Sequence, residues 1–284
     1  MFENMCSKRK MCWEDTKMLC YEQGEENEPN ESIKIKYSED LNKTKKKRYP
    51  SSNILFYDMD TIDCALGFEN PLVLNLADNY FPGGYVDEGA GAQEESIFRR
   101  SNYFKTLKKS LYPIEKDEAI YSSNVSIIKR SENDNWSLYD SYKRMDFIAC
   151  PGIKYPGTIL KDNIEQLNNI DVEQLKIKIK TIIQCAIHYN HDTIIFGALG
   201  CGAWKNPPFH VAKIFKEILD EYNGVIKNYV FSILSIKNVK KNFVLSSAET
   251  DLLSSGGVTN FPRTIDIFIE VFGKSIENTQ WILG

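Results

Sequence analysis

The chain has 284 residues, 42% of them apolar, and a formal net charge of −4. A chain of this length and composition can bury a substantial core, which excludes global disorder. The acidic balance argues against a general nucleic-acid binder, because phosphate neutralisation requires a basic surface. The one basic cluster, at residues 43–48, is interpreted as a solvated loop in preference to a nucleic-acid or localisation patch.

The cysteines and the apolar segments bear on the compartment. The seven cysteines are scattered and include no CxxC pair, which argues against a zinc site and indicates reduced thiols. The sequence has no run of eighteen apolar residues, and charges lie within its first ten positions, so we expect neither a membrane span nor a signal peptide. These features predict an intracellular protein, cytoplasmic or nuclear, with no membrane or nucleic-acid partner. We expect a monomer, although no sequence pattern determines the oligomeric state.

The first part of the chain combines a helix with short strands. The first 20 residues predict a helix, and the acidic, turn-prone residues 22–31 predict a loop. The pattern then predicts an edge strand at 32–37, a strand at 53–57, a helical turn at 60–66 and a buried central strand at 71–77.

The rest of the chain alternates helices with strands. The helical period predicts helices at 93–109, 172–189 and 264–272, and another that begins at Pro207-Pro208. The predicted strands are 121–129, 145–150, 193–198 and 228–236, with a turn at 131–135. Such alternation predicts a mostly parallel or mixed sheet that is covered by helices on both faces.

Two glycine-containing loops follow buried strands and precede helices. The first loop, residues 77–95, reads ADNYFPGGYVDEGAGAQEE, and the second loop, residues 197–207, reads GALGCGAWKNP. In open α/β sheets, ligands bind at the carboxyl ends of the strands, and glycines let backbone amides approach an anion closely. Two such loops in one sheet predict that both offer amides to one diphosphate.

Purely structural roles remain open for several residues of the two loops. Glu94 and Glu95 also suit the first turn of a helix as simple charges. Trp204 is interpreted equally well as a stacking platform or as a core anchor. Neither loop fits the P-loop or the GxGxxG pattern.

The remaining candidates for chemistry are weaker. The histidines are expected to be solvated or packing groups, and Cys201 to pack against the diphosphate in preference to acting as a reactive thiol. The acidic cluster resembles a metal site by count, and a helix cap with surface charge explains it as well. The aromatics of the first loop either wall a ribose pocket or pack the loop on the core. These residues are His188, His191, His210, Cys201, Asp58, Asp60, Asp63, Tyr80, Phe81 and Tyr85.

The segment PGGYVDEGAGAQEE resembles the signature of the poly(ADP-ribose) glycohydrolases, in the microbial version that is built on a macrodomain. Four further segments resemble that family in the same order along the chain: RKMCWEDT near the N-terminus, VLNLA before the first loop, IYSSNV, and GALGCGAWKNPP of the second loop. The likeness runs from about residue 9 to about residue 240.

The resemblance implies a fold, an activity and a division of the chain. The expected fold is a macrodomain-like three-layer α/β/α arrangement with a mixed sheet and a helical N-terminal extension. Residues 1–50 would be that extension, packed on a catalytic domain at 51–284. The implied activity is hydrolysis of ribose–ribose O-glycosidic bonds in poly(ADP-ribose), without a cofactor or metal. The implied partners are ADP-ribose, its polymer or ADP-ribosylated proteins.

The resemblance also implies roles for individual residues. Glu95 would be the general acid and then the base, Glu94 would hold ribose hydroxyls, and Gln93 would support the loop. Adjacent carboxylates near a diphosphate are expected to have raised pKa values. The other predicted substrate-binding residues are Asn75, Asp78, Asn79, Gly83, Gly84, Tyr85, Gly197, Gly200, Cys201, Gly202, Ala203 and Trp204.

The sequence departs from the family signature at two positions. Tyr85 replaces the third glycine, where a positive φ would cost about 1–2 kcal/mol for tyrosine, and where its phenol could reshape the cleft. Gly91 replaces the usual arginine of GARAQEE, which we expect to loosen the loop. These departures keep two alternatives open: a non-catalytic ADP-ribose-binding module and a hydrolase of mono-ADP-ribosylated protein.

Overall fold

The computed structural model describes residues 2–22, 28–43, 45–235 and 262–277. The helices are α1 (Phe2–Glu22), α2 (Glu39–Lys43), α3 (Thr61–Ala65), α4 (Gln93–Arg100), α5 (Asn169–His188), α6 (Pro208–Glu221) and α7 (Thr264–Phe272). The strands are β1 (Ile33–Lys36), β2 (Asn53–Tyr57), β3 (Pro71–Asn75), β4 (Glu118–Lys129), β5 (Leu138–Ala149), β6 (Thr158–Lys161), β7 (Ile164–Leu167), β8 (Thr193–Phe196) and β9 (Asn228–Ser232).

Seven of the strands form one mixed sheet in the order β1-β4-β5-β3-β8-β9-β2. The neighbours from β5 to β2 are parallel, whereas β4 is antiparallel to both β1 and β5. Val73 at the middle of β3 lies opposite Phe147 of β5 and Ile195 of β8. Because these three strands are parallel and adjacent, their carboxyl ends meet at one edge of the sheet.

The sheet is covered by helices on both faces. β3 is buried along its whole length, and its side chains alternate between two cores. Leu72 and Leu74 pack in the core that α5, α6 and α7 cover, whereas Val73 packs in the core that α1, α3 and α4 cover. The predicted three-layer α/β/α architecture is confirmed.

A buried ion-pair cluster fixes α4 against α3. The side chain of Arg100, at the end of α4, is 0% exposed and contacts the carboxylates of Asp60 and Asp63. Asp60 also caps α3 by accepting from the backbone amides of Ile62 and Asp63. The predicted helix cap is therefore confirmed for Asp60, and the ion pairs hold the end of α4 against α3.

Two predicted elements need correction, and one observed element is new. The helix predicted at 93–109 ends at Arg100, because Ser101 is extended (φ −147°, ψ 168°) and forms a bridge to Ile127 of β4. The strand predicted at 145–150 begins at Leu138, since its polar first half pairs with β4 outside the apolar core. The hairpin of β6 and β7 was not predicted.

The histidines have structural contacts. His191 is buried beside Tyr121 and Asp146, and the Nδ1 of His210 accepts from the Leu167 amide at 2.9 Å. Burial lowers the pKa of both imidazoles. Over the described ranges, no helix has the length and apolarity to cross a bilayer, and no group of three or more His, Cys, Asp or Glu is placed to hold a metal ion.

Candidate active site

The two predicted loops lie side by side at the carboxyl ends of β3 and β8. The two segments are in contact there: a Cβ on Gly197 would lie 3.0 Å from the side chain of Leu76, which follows β3. The segment after β5 joins them, since a Cβ on Gly152 would lie 2.7 Å from the Gly200 Cα. The loops therefore share one edge of the sheet, as the sequence predicts.

Glu94 is buried at the start of α4, and its carboxylate faces the first loop. Its Oε2 accepts from the Asp78 amide at 2.8 Å, and its Oε1 accepts from the Gly83 amide at 3.1 Å and from Asn75 Nδ2 at 3.2 Å. Burial outweighs these three donors and raises the pKa of Glu94 to about 8, with a further contribution from the Glu95 charge. The expected raised pKa is confirmed for Glu94.

Glu95 has a different environment. Its Oε1 accepts from the Tyr85 amide at 3.1 Å, whereas its Oε2 is buried and has no hydrogen-bond partner among the described residues. A Cβ on Gly84 would lie 2.6 Å from Oε1, so the backbone of Gly84 passes directly over this carboxyl group. One carboxyl oxygen is thus fixed by the protein, and the other keeps its capacity for a proton or a ligand.

Gln93 and Asn75 support this arrangement from below. Gln93 accepts from the Leu76 amide at 2.7 Å and donates to the Leu74 carbonyl at 2.7 Å, which ties the start of α4 to the end of β3. Asn75 is 0% exposed, and its amide donates to Glu94. Gln93 therefore holds the start of α4 in place, and Asn75 holds the Glu94 carboxyl group in place.

The first loop uses its own amides internally, which corrects one expectation. The amides of Gly83 and Tyr85 bind Glu94 and Glu95, and those of Gly84 and Val86 bind the carbonyls of Phe81 and Gly83. The prediction that these amides bind a diphosphate is wrong for residues 83–86, because the two carboxylates and a tight turn occupy them.

The second loop has amides available. In the described part of the chain, the amides of Gly202, Ala203 and Trp204 donate no hydrogen bond. Gly202 and Ala203 are exposed. Gly200 instead faces inward with φ +78°, where its missing side chain makes room for Asn206. Three successive amides without internal acceptors are donors of the kind that anion sites use.

Lys154 is a site residue that the sequence analysis missed. Its Nζ lies 3.9 Å from Asp78 Oδ2 of the first loop and 6.0 Å from the centroid of the Trp204 ring in the second loop. The side chain is 38% exposed, so its ammonium group stands at the opening between the loops. No local pattern marks this lysine; only the adjacency of β5 and β3 brings it there.

Cys201 does not have the features of a reactive thiol. Its Sγ donates to the Leu199 carbonyl at 3.7 Å, and burial raises its thiol pKa far above the usual range. A raised thiol pKa suppresses the thiolate, which is the nucleophilic form. The interpretation as a packing residue is the one that this geometry supports.

The aromatic side chains of the first loop form a rim. Tyr80, Phe81 and Tyr85 are all more than half exposed, so they do not pack the loop on the core. Lys109 lies 4.0 Å from the centroid of the Phe81 ring and donates to the Tyr80 carbonyl at 2.6 Å, which holds the rim in place.

The two departures from the family signature are accommodated without backbone strain. Tyr85 has φ −108°, so the backbone strain energy of a positive φ does not arise. A Cβ on Gly91 would lie 2.3 Å from Arg9 Nη1, which shows that an arginine from α1 stands beside the position where the family carries one.

Comparisons with known proteins agree with this geometry. Residues 6–130 match the family model described as microbial-type PARG, catalytic domain. The resemblance to the microbial-type poly(ADP-ribose) glycohydrolases is confirmed. The match to this PARG family model contains the first loop, Glu94, Glu95 and most of α1, whereas the second loop lies beyond it. No curated protein sequence matches the chain.

Solved PARG structures share the fold. The glycohydrolase of Thermomonospora curvata has 20% identity and a TM-score of 0.63, over 79% of this chain and 92% of that chain. The same enzyme bound to the inhibitor ADP-HPD has 19% identity and a TM-score of 0.64, over 81% of this chain and 94% of that chain. The Deinococcus radiodurans enzyme in complex with ADP-ribose has 20% identity and a TM-score of 0.65, over 85% of this chain and 94% of that chain. The predicted macrodomain-like fold class is thereby confirmed.

The raised pKa of Glu94 predicts a pH-dependent stability. Between the unfolded carboxyl pKa and about 8, the folded chain holds a proton that the unfolded chain has released. The free energy of unfolding therefore falls as pH rises through this window, by about 1.4 kcal/mol per pH unit from this group. Replacing Glu94 with Gln should flatten the fall, which urea unfolding from pH 5 to 8 measures.

The control for that measurement is Glu270→Gln on the exposed side of α7. It removes an exposed glutamate carboxyl group and should leave the dependence of the free energy of unfolding on pH as it is in the native chain. A Glu94→Gln variant whose stability keeps the native slope would contradict a raised Glu94 pKa.

The position of Gly84 predicts a second effect. Gly84 (φ +55°) and Gly273 (φ +62°) both have left-handed backbones, but a Cβ on Gly273 meets nothing within 4 Å. Each change to alanine should cost about 1 kcal/mol of backbone strain. Gly84→Ala should cost more, because its methyl group displaces the Glu95 carboxyl group. Thermal unfolding checks this; equal losses of stability in the two variants would refute the steric role of Gly84.

Proposed function

We propose that this chain is an ADP-ribosyl glycohydrolase that cleaves the ribose–ribose O-glycosidic bonds of poly(ADP-ribose). The observation that carries the proposal is the Glu95 carboxyl group. One oxygen is held by the Tyr85 amide, and the other is buried without a partner in the described chain, at the edge where both loops meet. A fixed, partly unsatisfied carboxyl group at a ligand-binding edge is the arrangement that proton-transfer catalysis uses.

The diphosphate of the substrate is assigned to the second loop. The amides of Gly202, Ala203 and Trp204 have no acceptors within the described residues, and Lys154 lies beside them. These donors together supply directed hydrogen bonds and a positive charge, which a diphosphate requires. The first loop contributes through its carboxylates instead, so each loop binds a different part of the ligand.

Glu95 performs the chemistry in two steps. Its protonated carboxyl group donates the proton to the ribose oxygen that leaves, while the C1–O bond breaks through an oxocarbenium-like transition state. The resulting carboxylate then takes a proton from the water that attacks C1. Each step returns Glu95 to the state that the next one needs, so no metal ion is required for the proton transfers.

Glu94 and Gln93 serve this reaction by holding the loop. Glu94 has donors on both oxygens, so its main work is to fix the amides of Asp78 and Gly83. Any contact with ribose hydroxyls would add to that role. Because Gly83 precedes Gly84 and Tyr85, the hydrogen bond from the Gly83 amide to Glu94 also fixes the positions of these two residues, which contact Glu95.

Tyr85 is the specific observation that favours a second function. Its side chain is 56% exposed and its backbone amide binds Glu95, so we propose that the polymer continues past this phenol beyond the cleaved unit. A phenol there narrows the path, which suits a mono-ADP-ribosylated protein or a module that binds ADP-ribose without turnover. Both alternatives use the same diphosphate site.

The deciding experiment compares the native chain with Glu95→Gln. The native protein should release ADP-ribose from poly(ADP-ribose), and the variant should be slower by about 10²–10⁴-fold, as expected when a general acid is removed. The affinity for free ADP-ribose should change by less than about threefold, since the diphosphate donors are intact. Chromatography of the released nucleotide and calorimetry measure the two quantities.

The control is Glu270→Gln, which should hydrolyse at the native rate. Release only from a mono-modified protein would assign the mono-ADP-ribosyl hydrolase. Tight binding with no release from either substrate would assign the non-catalytic module and refute the hydrolase.

Lys154 gives a separate prediction about binding. Lys154→Ala should weaken ADP-ribose binding about tenfold, or about 1.4 kcal/mol, because one charge-assisted contact is lost. The affinity of the variant should also depend less on salt concentration. Lys161→Ala, an exposed lysine of β6, is the matched control. Equal affinities for the two variants would place the diphosphate elsewhere.

A further inference from the structure

One face of α1 lies directly against the first loop. Cys6, Arg9 and Trp13 are spaced at i, i+3 and i+7, which puts them on one side of the helix. The Cys6 carbonyl oxygen lies 2.4 Å from the Cβ position of Gly89. Trp13 Nε1 donates to Asp87 Oδ1 at 2.7 Å. The helix therefore contacts the segment that leads into Gln93, Glu94 and Glu95.

Arg9 occupies the centre of this contact. All three terminal guanidinium atoms lie within 2.6 Å of the Cβ position of Gly91. Its Nε and Nη2 bind both carboxylate oxygens of Glu132, at 2.8 and 3.0 Å, in the turn after β4. The guanidinium is thus oriented by a bidentate pair from one side and touches the loop backbone on the other.

The glycine at position 91 is explained by this contact. Gly91 is not among the glycines with positive φ, so the backbone conformation alone does not require glycine there. What requires it is the guanidinium group, since any side chain at 91 would occupy the same space.

Charges connect this contact to the carboxyl group of Glu95. The pKa of Arg9 is raised first by its hydrogen bond to Glu132, with smaller contributions from nearby charges that include Glu95. Arg99 of α4 belongs to the same group: its Nη1 donates to the Ala90 carbonyl at 2.6 Å, and burial followed by the Arg9 charge lowers its pKa to about 10. The two arginines therefore bracket residues 90–91, immediately before α4.

We propose that Arg9 is a positioning residue for Glu95: the guanidinium holds residues 87–92 in place from α1, and Gly91 is glycine so that it can. The inference rests on the proposed function and adds a part of the molecule to it. Arg9 acts through the loop backbone, so it governs the rate of the chemical step more than the binding of the diphosphate, whose donors lie in the second loop.

The kinetic test is a double-mutant cycle between positions 9 and 91. Arg9→Ala should lower kcat on poly(ADP-ribose) about tenfold and change KM by less than about threefold. Gly91→Ala should lower kcat similarly in the native background, because the methyl group displaces the guanidinium. It should have almost no effect in the Arg9→Ala background, where nothing remains to displace. Lys10→Ala, an exposed neighbour on α1, should retain the native kcat.

A second variant tests the role by restoration. Gly91→Arg in the Arg9→Ala background places a guanidinium in the same space from the loop itself and should recover at least part of the lost kcat. Additive losses at positions 9 and 91, or equal effects of Arg9→Ala and Lys10→Ala, would overturn the proposal.

Hydrogen exchange separates this inference from the proposed activity. Without any substrate, the amides of residues 85–92 should exchange faster in Arg9→Ala than in Lys10→Ala, while those of the second loop stay unchanged. A native protein without hydrolase activity would refute the proposed function, and the exchange result would still decide whether Arg9 fixes the loop. Unchanged exchange in Arg9→Ala would overturn the inference even if the native protein is active.

Discussion

The arrangement of the site depends on one buried carboxyl group. Three N–H groups, from the end of β3, the start of the first loop and its first glycine, converge on Glu94. A buried polar group is costly unless it is hydrogen-bonded, and removing any donor would leave part of that cost uncompensated. The carboxyl group therefore fixes the loop as firmly as the loop stabilises the carboxyl group. Gly84 and Tyr85 follow directly from Gly83, so their positions over Glu95 are consequences of the same bond network.

This network explains why the two glycine loops are not equivalent. Both follow parallel strands and precede helices, and both contain the glycines that an anion site needs. In the first loop, the amides that could face a ligand are bound to the chain's own carboxylates and to its tight turn. In the second loop, the turn closes through Gly200 and Asn206, and the amides of residues 202–204 between them remain without acceptors in the described structure. The acid and the anion donors of the proposed function thus come from different loops, and each loop is held by its own hydrogen bonds.

The sequence predicts the site to the extent that local patterns determine it. The apolar run of β3, the glycine loops and the adjacent glutamates could be read directly, and parallel strand order brings the loops to one edge. The helix from Gln93 was predicted too long, because its apolar spacing continues past Ser101 and only pairing with β4 ends it. Lys154 and Arg9 could not be found, since their contacts join segments that are distant in sequence. The use of the first loop's amides was also unpredictable, because it depends on where two buried carboxylates point.

The glycines of the signature are required for different physical reasons. These reasons show that residues outside the loop help to determine its sequence. Gly84 and Gly89 both need their left-handed backbones, and they also leave room for Glu95 and for the Cys6 carbonyl, whereas Gly91 leaves room for the Arg9 guanidinium alone. Gly91 therefore has no explanation within the loop; its explanation lies in α1. Trp13, buried between Phe98 and Phe104, anchors that helix on the same layer. A helix that determines which residues the signature can contain belongs to the architecture of the candidate site, whatever boundary is drawn between an N-terminal extension and the domain that follows.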